Sequence, residues 1–318
     1  MTKEYPMGKA NLEVLSETLQ GLAGNDRDIL VVTSDSRGSG KLVPFGERFP
    51  DQIIETGIAE QNLVGVSAGL ASAGKKVFAV SPACFLATRA LEQIKNDIAY
   101  SDNPVKLIGI SAGVSYGALG STHHSLHDYA ALRAINNLTV LAPADNFETR
   151  RSIEQANEMN LPVYIRFGKK PMPHLHDENT EFIIGKGIRI KDGDDLAIIA
   201  TGECVFPALF AADILENWHD LKVRVISMHT IKPLDKEILM KAAEECRGII
   251  TVEEHSVHGG LGEACASCLL QNGYGLPFRI IGIPDEYTVS GSQSEIFNHY
   301  GITGESIAET ALNLINIK

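Results

Sequence analysis

The stretch ETGIAEQN, residues 55–62, places Glu60 where an apolar run of strand character, DQIIETG, gives way to a helical run of small residues, AEQNLVGVSAGLASAG. An acid in the first turn of a helix ordinarily serves the macrodipole, a contribution below about 1 kcal/mol. Here the neighbours are Gly, Ala, Ser, Leu and Val, which suit a buried helix start, and burial of a carboxyl group favours its protonated form. A buried acid needs a partner, so Glu60 is a candidate for holding or sharing a proton. The stretch STHHSLHD, residues 121–128, is a second candidate. On a helix His123 and His127 would share one face as zinc-binding pairs do, but a third ligand and the glutamate of an HExxH arrangement are missing. By spacing alone a solvated or capping histidine cluster ranks first, hydrogen-bonding or acid-base histidines second, and a metal third. A third candidate is HGGLGEA, residues 258–264, after the strand-like GIITVEEH. A lone glycine-rich turn of this kind often means only that strand and helix approach closely. No GxxxxGK[ST] string occurs, and nothing points to a nucleoside triphosphate. Cys265 and Cys268 form a CxxC within the helix-like EACASCLLQ, with no second pair, and read as small apolar side chains rather than a metal or redox site.

These groups have to be held by elements, and the chain alternates short β-branched runs with helical periods. DILVVTSD, KKVFAVSP, PVKLIGIS, LTVLAPA and PVYIRFG read as buried strands, separated by helical stretches such as NLEVLSETLQGL, RALEQIKNDIAY and NFETRRSIEQANE. That rhythm predicts a doubly wound α/β domain with a parallel sheet and crossover helices. It breaks at KKPMPHLHDENTEFIIGKG, where Pro171, Pro173 and Gly185 interrupt polar residues. It then resumes in DLAIIATG, VRVISMHT, GIITVEE and FRIIGI, which predicts a second, smaller α/β domain. The expected division is 1–172, a linker over 173–189, and 190–318.

A length of 318 residues agrees with two domains of ordinary size. A net charge of −12 with no cluster of Lys and Arg argues against a nucleic-acid partner. Apolar runs such as GIITV and LAIIA fall far short of the ~20 residues that span a bilayer, so no membrane role is expected. The start has neither an apolar leader nor Arg-rich transit character, and the five cysteines are an odd number, so a reduced, cytoplasmic setting is expected.

The stretches FPDQIIETGIAEQNLVGVSAGLASAGKKVFAV, RALEQIKNDIAY, STHHSLHD, VLAPAD, TIKPLD, VEEHSVHGGLGEA and IPDEY, in this order over nearly the whole chain, resemble the C-terminal section of transketolase. The chain is similar more distantly to deoxyxylulose-phosphate synthase and to the β subunits of 2-oxo acid dehydrogenases. The resemblance implies a pyrimidine-binding domain followed by a transketolase C-terminal domain. It implies that Glu60 bonds the aminopyrimidine N1′ of thiamine diphosphate, the contact that sets up the cofactor's deprotonation at C2. It further implies that Phe85 packs on the pyrimidine ring, although Pro82 and Ala83 stand where relatives have a second Phe, and that Asp35 lies near the cofactor. Ser39 and His123 would meet the sugar, and Arg166 or Lys169, together with Lys9, would grip its phosphate.

Two departures from the family matter. Where ordinary transketolases carry a histidine and a GEDG string ahead of the THQ segment, this chain reads SAGVSYGALGSTH, with Ser111 for the first histidine and Leu119 for the aspartate. Both usually contact sugar hydroxyls, and a hydroxyl left unpaired is rejected strongly. The expectation is a transketolase specialised for an unusual ketose phosphate, branched or otherwise lacking the standard hydroxyl pattern. The diphosphate-binding domain, whose GDG…N segment holds Mg2+ or Ca2+, has no counterpart here, since KDGDD reads as a turn before a strand. A partner chain equivalent to the transketolase N-terminal section is therefore expected to carry the metal, in a heterotetramer with two copies of each chain. Two alternatives stand beside this: the β subunit of a 2-oxo acid decarboxylase, and a noncatalytic assembly subunit.

Overall fold

The computed structural model describes residues 5–315. Runs such as Ile29–Thr33, Lys106–Ile110 and Val163–Arg166 are buried along their whole length, as strands covered by helices on both faces must be. They form a seven-stranded sheet in the order Thr230–Lys232, Thr139–Leu141, Val163–Arg166, Lys106–Ile110, Lys76–Pro82, Ile29–Thr33, Ile53–Glu55. All pairings within it are parallel except that of Thr230–Lys232. From Ile29–Thr33 the chain steps to one side, to Ile53–Glu55, and then to the other, to Lys76–Pro82 and on to Lys106–Ile110. The order therefore reverses at Ile29–Thr33, and in open α/β sheets the crevice beyond the carboxyl ends at such a point is where ligands bind.

Helices Asn11–Ala23 and Asn146–Glu158 bury Leu12, Leu15, Leu19 and Ile153 against one face of this sheet. Helix Glu60–Ser72 and the stretch 83–100 cover the other with Leu63, Val64, Leu86, Ile94 and Ile98. Each such side chain removed from water stabilises the fold by roughly 1.5–3 kcal/mol. A five-stranded sheet follows, in the order Phe278–Ile283, Ile249–Ser256, Leu196–Ala200, Val223–Ser227, Ile188–Lys191, the last antiparallel. Helices Val205–His219 and Gly304–Ile315 cover one of its faces, and Lys236–Glu245 with Leu261–Gln271 the other. No described helix is long and apolar enough to cross a membrane.

Two expectations change and one condition is not met. STHHSLHD, on which a shared histidine face required a helix, is not helical: residues 121–123 form a turn, Ser125 bridges to Gly113, and the helix runs only from Asp128 to Arg133. His123 and His127 thus do not share a helix face. The KNDIAY end of the predicted helix widens into a π-helix over Ile94–Tyr100. Pro171 and Pro173, read as breakers, lie in a short strand that pairs antiparallel with Met7–Ala10, an isolated two-stranded setting in which a missing N–H costs little.

Candidate active site

Five of the predicted residues follow the carboxyl ends of the parallel strands. Asp35 and Ser39 come after Ile29–Thr33, Phe85 after Lys76–Pro82, His123 after Lys106–Ile110 and Lys169 after Val163–Arg166. Glu60 opens the helix after Ile53–Glu55, and its residue is only 4% exposed. Ala59, the cap, offers no side-chain acceptor, so the first-turn carboxylate faces the helix dipole directly.

Contacts link these residues in one line. Arg89 Nη1 donates to both oxygens of Glu60, at 3.1 and 3.0 Å, and the same guanidinium lies over the Phe85 ring, 4.1 Å from its centroid. Phe85 meets His123 edge-on at 5.3 Å, and His123 meets Tyr116 in the same way at 5.4 Å. Lys169 Nζ sits over the far end of the line, 4.3 Å from the Tyr116 centroid. Burial pushes the Tyr116 phenol up from its ordinary value and the Lys169 ammonium down. A cation placed in this way gains by meeting an anion. His123 Nδ1 and the Thr122 hydroxyl are 2.9 Å apart.

Asp35 and Ser39 sit on the neighbouring loop. Asp35 is exposed with a left-handed backbone (φ 51°), its N–H donating to Glu55 Oε1 at 2.6 Å, and Ser39 Oγ donates to the Ser36 carbonyl at 3.2 Å. Two predicted phosphate residues lie elsewhere. Arg166 is buried and fully committed: it donates to Asp128 at 2.8 Å and to the Glu254 carbonyl at 2.8 Å, and it stacks over Tyr129 at 4.2 Å. With its donors spent on the junction of the two sheets, it is not free to grip a substrate phosphate. Lys9 is likewise apart from the line; it pairs with Glu17 at 2.7 Å and borders a groove with Arg150 and His174.

The HGGLGEA turn also has an internal explanation. Glu253 Oε2 and Oε1 accept from the backbone N–H groups of Leu261 and Gly262, at 2.7 and 2.9 Å, and a Cβ at Gly260 would collide with that carboxylate. The helix start that could have held a phosphate holds the chain's own acid. Ser111 is buried with a left-handed φ of 54°, a conformation that costs a non-glycine residue about 1–2 kcal/mol, and Leu119 is 55% exposed. Arg89 and Tyr116 escaped the sequence reading. TRALEQ gives no cue that its arginine turns back on Glu60 from 29 residues away.

The residues present suit the aminopyrimidine that the resemblance implies. That ring needs a flat apolar face and a buried carboxylate facing a ring nitrogen. In this chain a planar nitrogen group, the Arg89 guanidinium, already stacks on Phe85 and bonds Glu60. Its side chain is 48% exposed against 4% for Glu60, so a ring bound here would take the place of the guanidinium with the arginine turned toward the solvent already on its outer side.

Fold and site together define a chain of the pyrimidine-binding type with a C-terminal α/β domain. Family descriptions match in that order: "Transketolase, pyrimidine binding domain" over residues 8–173 and "Transketolase, C-terminal domain" over residues 185–307. The chain belongs to the transketolase family, in its C-terminal section. It is 48% identical over 301 residues to one of the subunits of the apulose-4-phosphate transketolase of Phocaeicola vulgatus, covering 94% of this chain and 96% of that one. It is 34% identical to the 6-deoxy-6-sulfo-D-fructose transketolase subunit SqwH of a Clostridium species, covering 91% and 89%. A solved split-gene transketolase, described as an inactive β4 tetramer, superposes with a TM-score of 0.89 at 35% identity, covering 98% and 100%.

Proposed function

We propose that this chain is the pyrimidine-binding half of a thiamine-diphosphate-dependent transketolase that moves a two-carbon ketol unit between sugar phosphates. The observation that carries the reading is the buried Glu60 carboxylate facing a planar nitrogen group stacked on Phe85. Thiamine diphosphate, when bound, supplies the electron sink that lets the bond beside a ketone break. Glu60 would hold a proton at the pyrimidine N1′, and Phe85 would give the ring its apolar floor. Asp35 would stand near the cofactor and Ser39 would meet the sugar. His123 would hydrogen-bond the sugar near its reacting carbon, and Lys169, with burial already lowering its affinity for its proton, would meet the phosphate as a point charge. The diphosphate end and its Mg2+ or Ca2+ belong to a partner chain, and the complex is a heterotetramer. The inactive β4 assembly of the split-gene relative supports dependence on that partner.

The substrate is a ketose phosphate other than the ordinary pentose phosphates. Leu119 carries no polar group where ordinary transketolases have an aspartate, Ser111 offers only a hydroxyl in place of a histidine, and apulose 4-phosphate, from the name of the 48% identical relative, is the leading candidate. The test is reconstitution with the polypeptide encoded beside this chain, thiamine diphosphate and magnesium. Faster ketol transfer from apulose 4-phosphate than from xylulose 5-phosphate, each with an aldose phosphate such as ribose 5-phosphate as acceptor, is expected. Full activity with the pentose pair refutes the specialisation, and appreciable turnover without the partner refutes the division of labour.

A further inference from the structure

The loop that carries His123 is fastened to the C-terminal domain by a directed set of hydrogen bonds. His124 is buried, with Nε2 2.9 Å from the Gly117 carbonyl and Nδ1 2.6 Å from Thr288 Oγ1. A carbonyl only accepts, so Nε2 carries a hydrogen; in the neutral ring Nδ1 is then an acceptor, and the Thr288 hydroxyl donates to it. Ser121 Oγ, 3.0 Å from Thr288 Oγ1, donates in turn to the threonine oxygen. Two glycines with positive φ bring the loops together: a Cβ on Gly117 would lie 2.7 Å from the Gly291 carbonyl, and one on Gly120 would lie 2.9 Å from Ser290 Oγ. His123 and His124 both donate their backbone N–H groups to the Gly120 carbonyl, at 2.9 and 3.1 Å, so fixing one ring fixes the turn that carries the other.

We propose that Thr288 and His124 are positioning residues for the transfer reaction: the Thr288 hydroxyl, reaching over from the C-terminal domain, orients the His124 ring and thereby sets where His123 stands against Phe85 and Tyr116. The proposal rests on the function argued above in giving His123 a role at the substrate. The C-terminal domain then shapes the site.

Two measurements test this. In the reconstituted complex with apulose 4-phosphate as donor and an aldose phosphate as acceptor of the ketol unit, Thr288→Val lowers kcat about tenfold or more, the scale of a misplaced reacting group. Its thiamine diphosphate Kd stays within about twofold, and Thr288→Ser restores kcat to within about threefold of wild type, since it restores the hydroxyl. Unchanged kcat in Thr288→Val, or a serine variant as slow as the valine one, overturns the proposal. Long-range nitrogen–proton NMR on the histidine-labelled chain alone reads the rings directly. His124 is expected neutral with its proton on Nε2, and a proton found on Nδ1 overturns the proposal even if Thr288→Val fails to fold. A wild-type complex that transfers no ketol unit sinks the functional reading and with it the role given to His123, while a proton on His124 Nδ1 in an active complex sinks only the orientation by Thr288.

Discussion

Glu60 and Arg89 pair at the centre of the candidate site. Replacing Glu60 by Gln keeps the shape and removes the charge, so steady-state assays of the reconstituted complex at saturating cofactor should show kcat down by at least about a hundredfold, in the range of lost acid-base assistance. The isolated chain's melting temperature should hardly move, because the partner left behind is a half-exposed arginine. Lys169 and Arg166 separate by burial. Lys169→Met should raise KM for a phosphorylated sugar about tenfold with little change in kcat, whereas Arg166→Met should destabilise the chain by about 3–5 kcal/mol in denaturant titration, because Asp128 and the Glu254 carbonyl lose their donor. Glu60, Phe85 and His123 were nameable from the sequence because a stretch resembling a family motif surrounds each one. Arg89 and Tyr116 were not, because their place in the line comes from tertiary contacts with Glu60, Phe85 and His123.

Among the elements, strands were legible wherever a β-branched run is buried on both faces. The predicted DILVVTSD, KKVFAVSP, PVKLIGIS, DLAIIATG and VRVISMHT contain the observed Ile29–Thr33, Lys76–Pro82, Lys106–Ile110, Leu196–Ala200 and Val223–Ser227. Short strands held by a single neighbour, Met7–Ala10, Pro171–Pro173 and Thr230–Lys232, carry no such run, since their pairing is decided by tertiary contact. In STHHSLHD the i, i+4 histidine spacing would fit a helix, but Gly117 and Gly120 bend the backbone into turns fastened from outside by Thr288. The turn at Gly260 offers a direct check. Gly260→Ala should cost about 1–3 kcal/mol in denaturant titration as the Glu253 carboxylate is pushed from its two amides. A variant as stable as wild type would mean that the glycine serves something other than this close approach.

Across the whole molecule, the junction of the two sheets is rich in buried titrating groups. Burial pushes Glu253 up to about 7, and burial together with the nearby Glu203 carboxylate raises Glu254 to about 8. Burial also presses His255 down to about 4 and His229 to about 3. The raised acids stabilise the fold at low pH and lose that contribution as pH climbs through their folded values. The depressed imidazoles stabilise it above about 6.5 and lose that contribution as pH falls toward 4. Between about pH 4.5 and 6.5 the two trends oppose each other, and from about 6.5 to 8 only the acids act, at about 1.4 kcal/mol per proton and pH unit. The melting temperature should therefore peak on the acid side of neutrality and decline toward pH 8; a steady rise through pH 8 would refute this balance.

Thr230–Lys232 belongs by sequence to the second half of the chain and by pairing to the first sheet, where it covers the outer rim of Thr139–Leu141. A fragment cut in the segment before Ile188 would leave that rim bare, its N–H and C=O groups open to any extended peptide nearby. Such a fragment would be prone to self-pairing and precipitation. The halves are laced together like two boards sharing a tongue and groove, and dissecting the enzyme calls for carrying this tongue along.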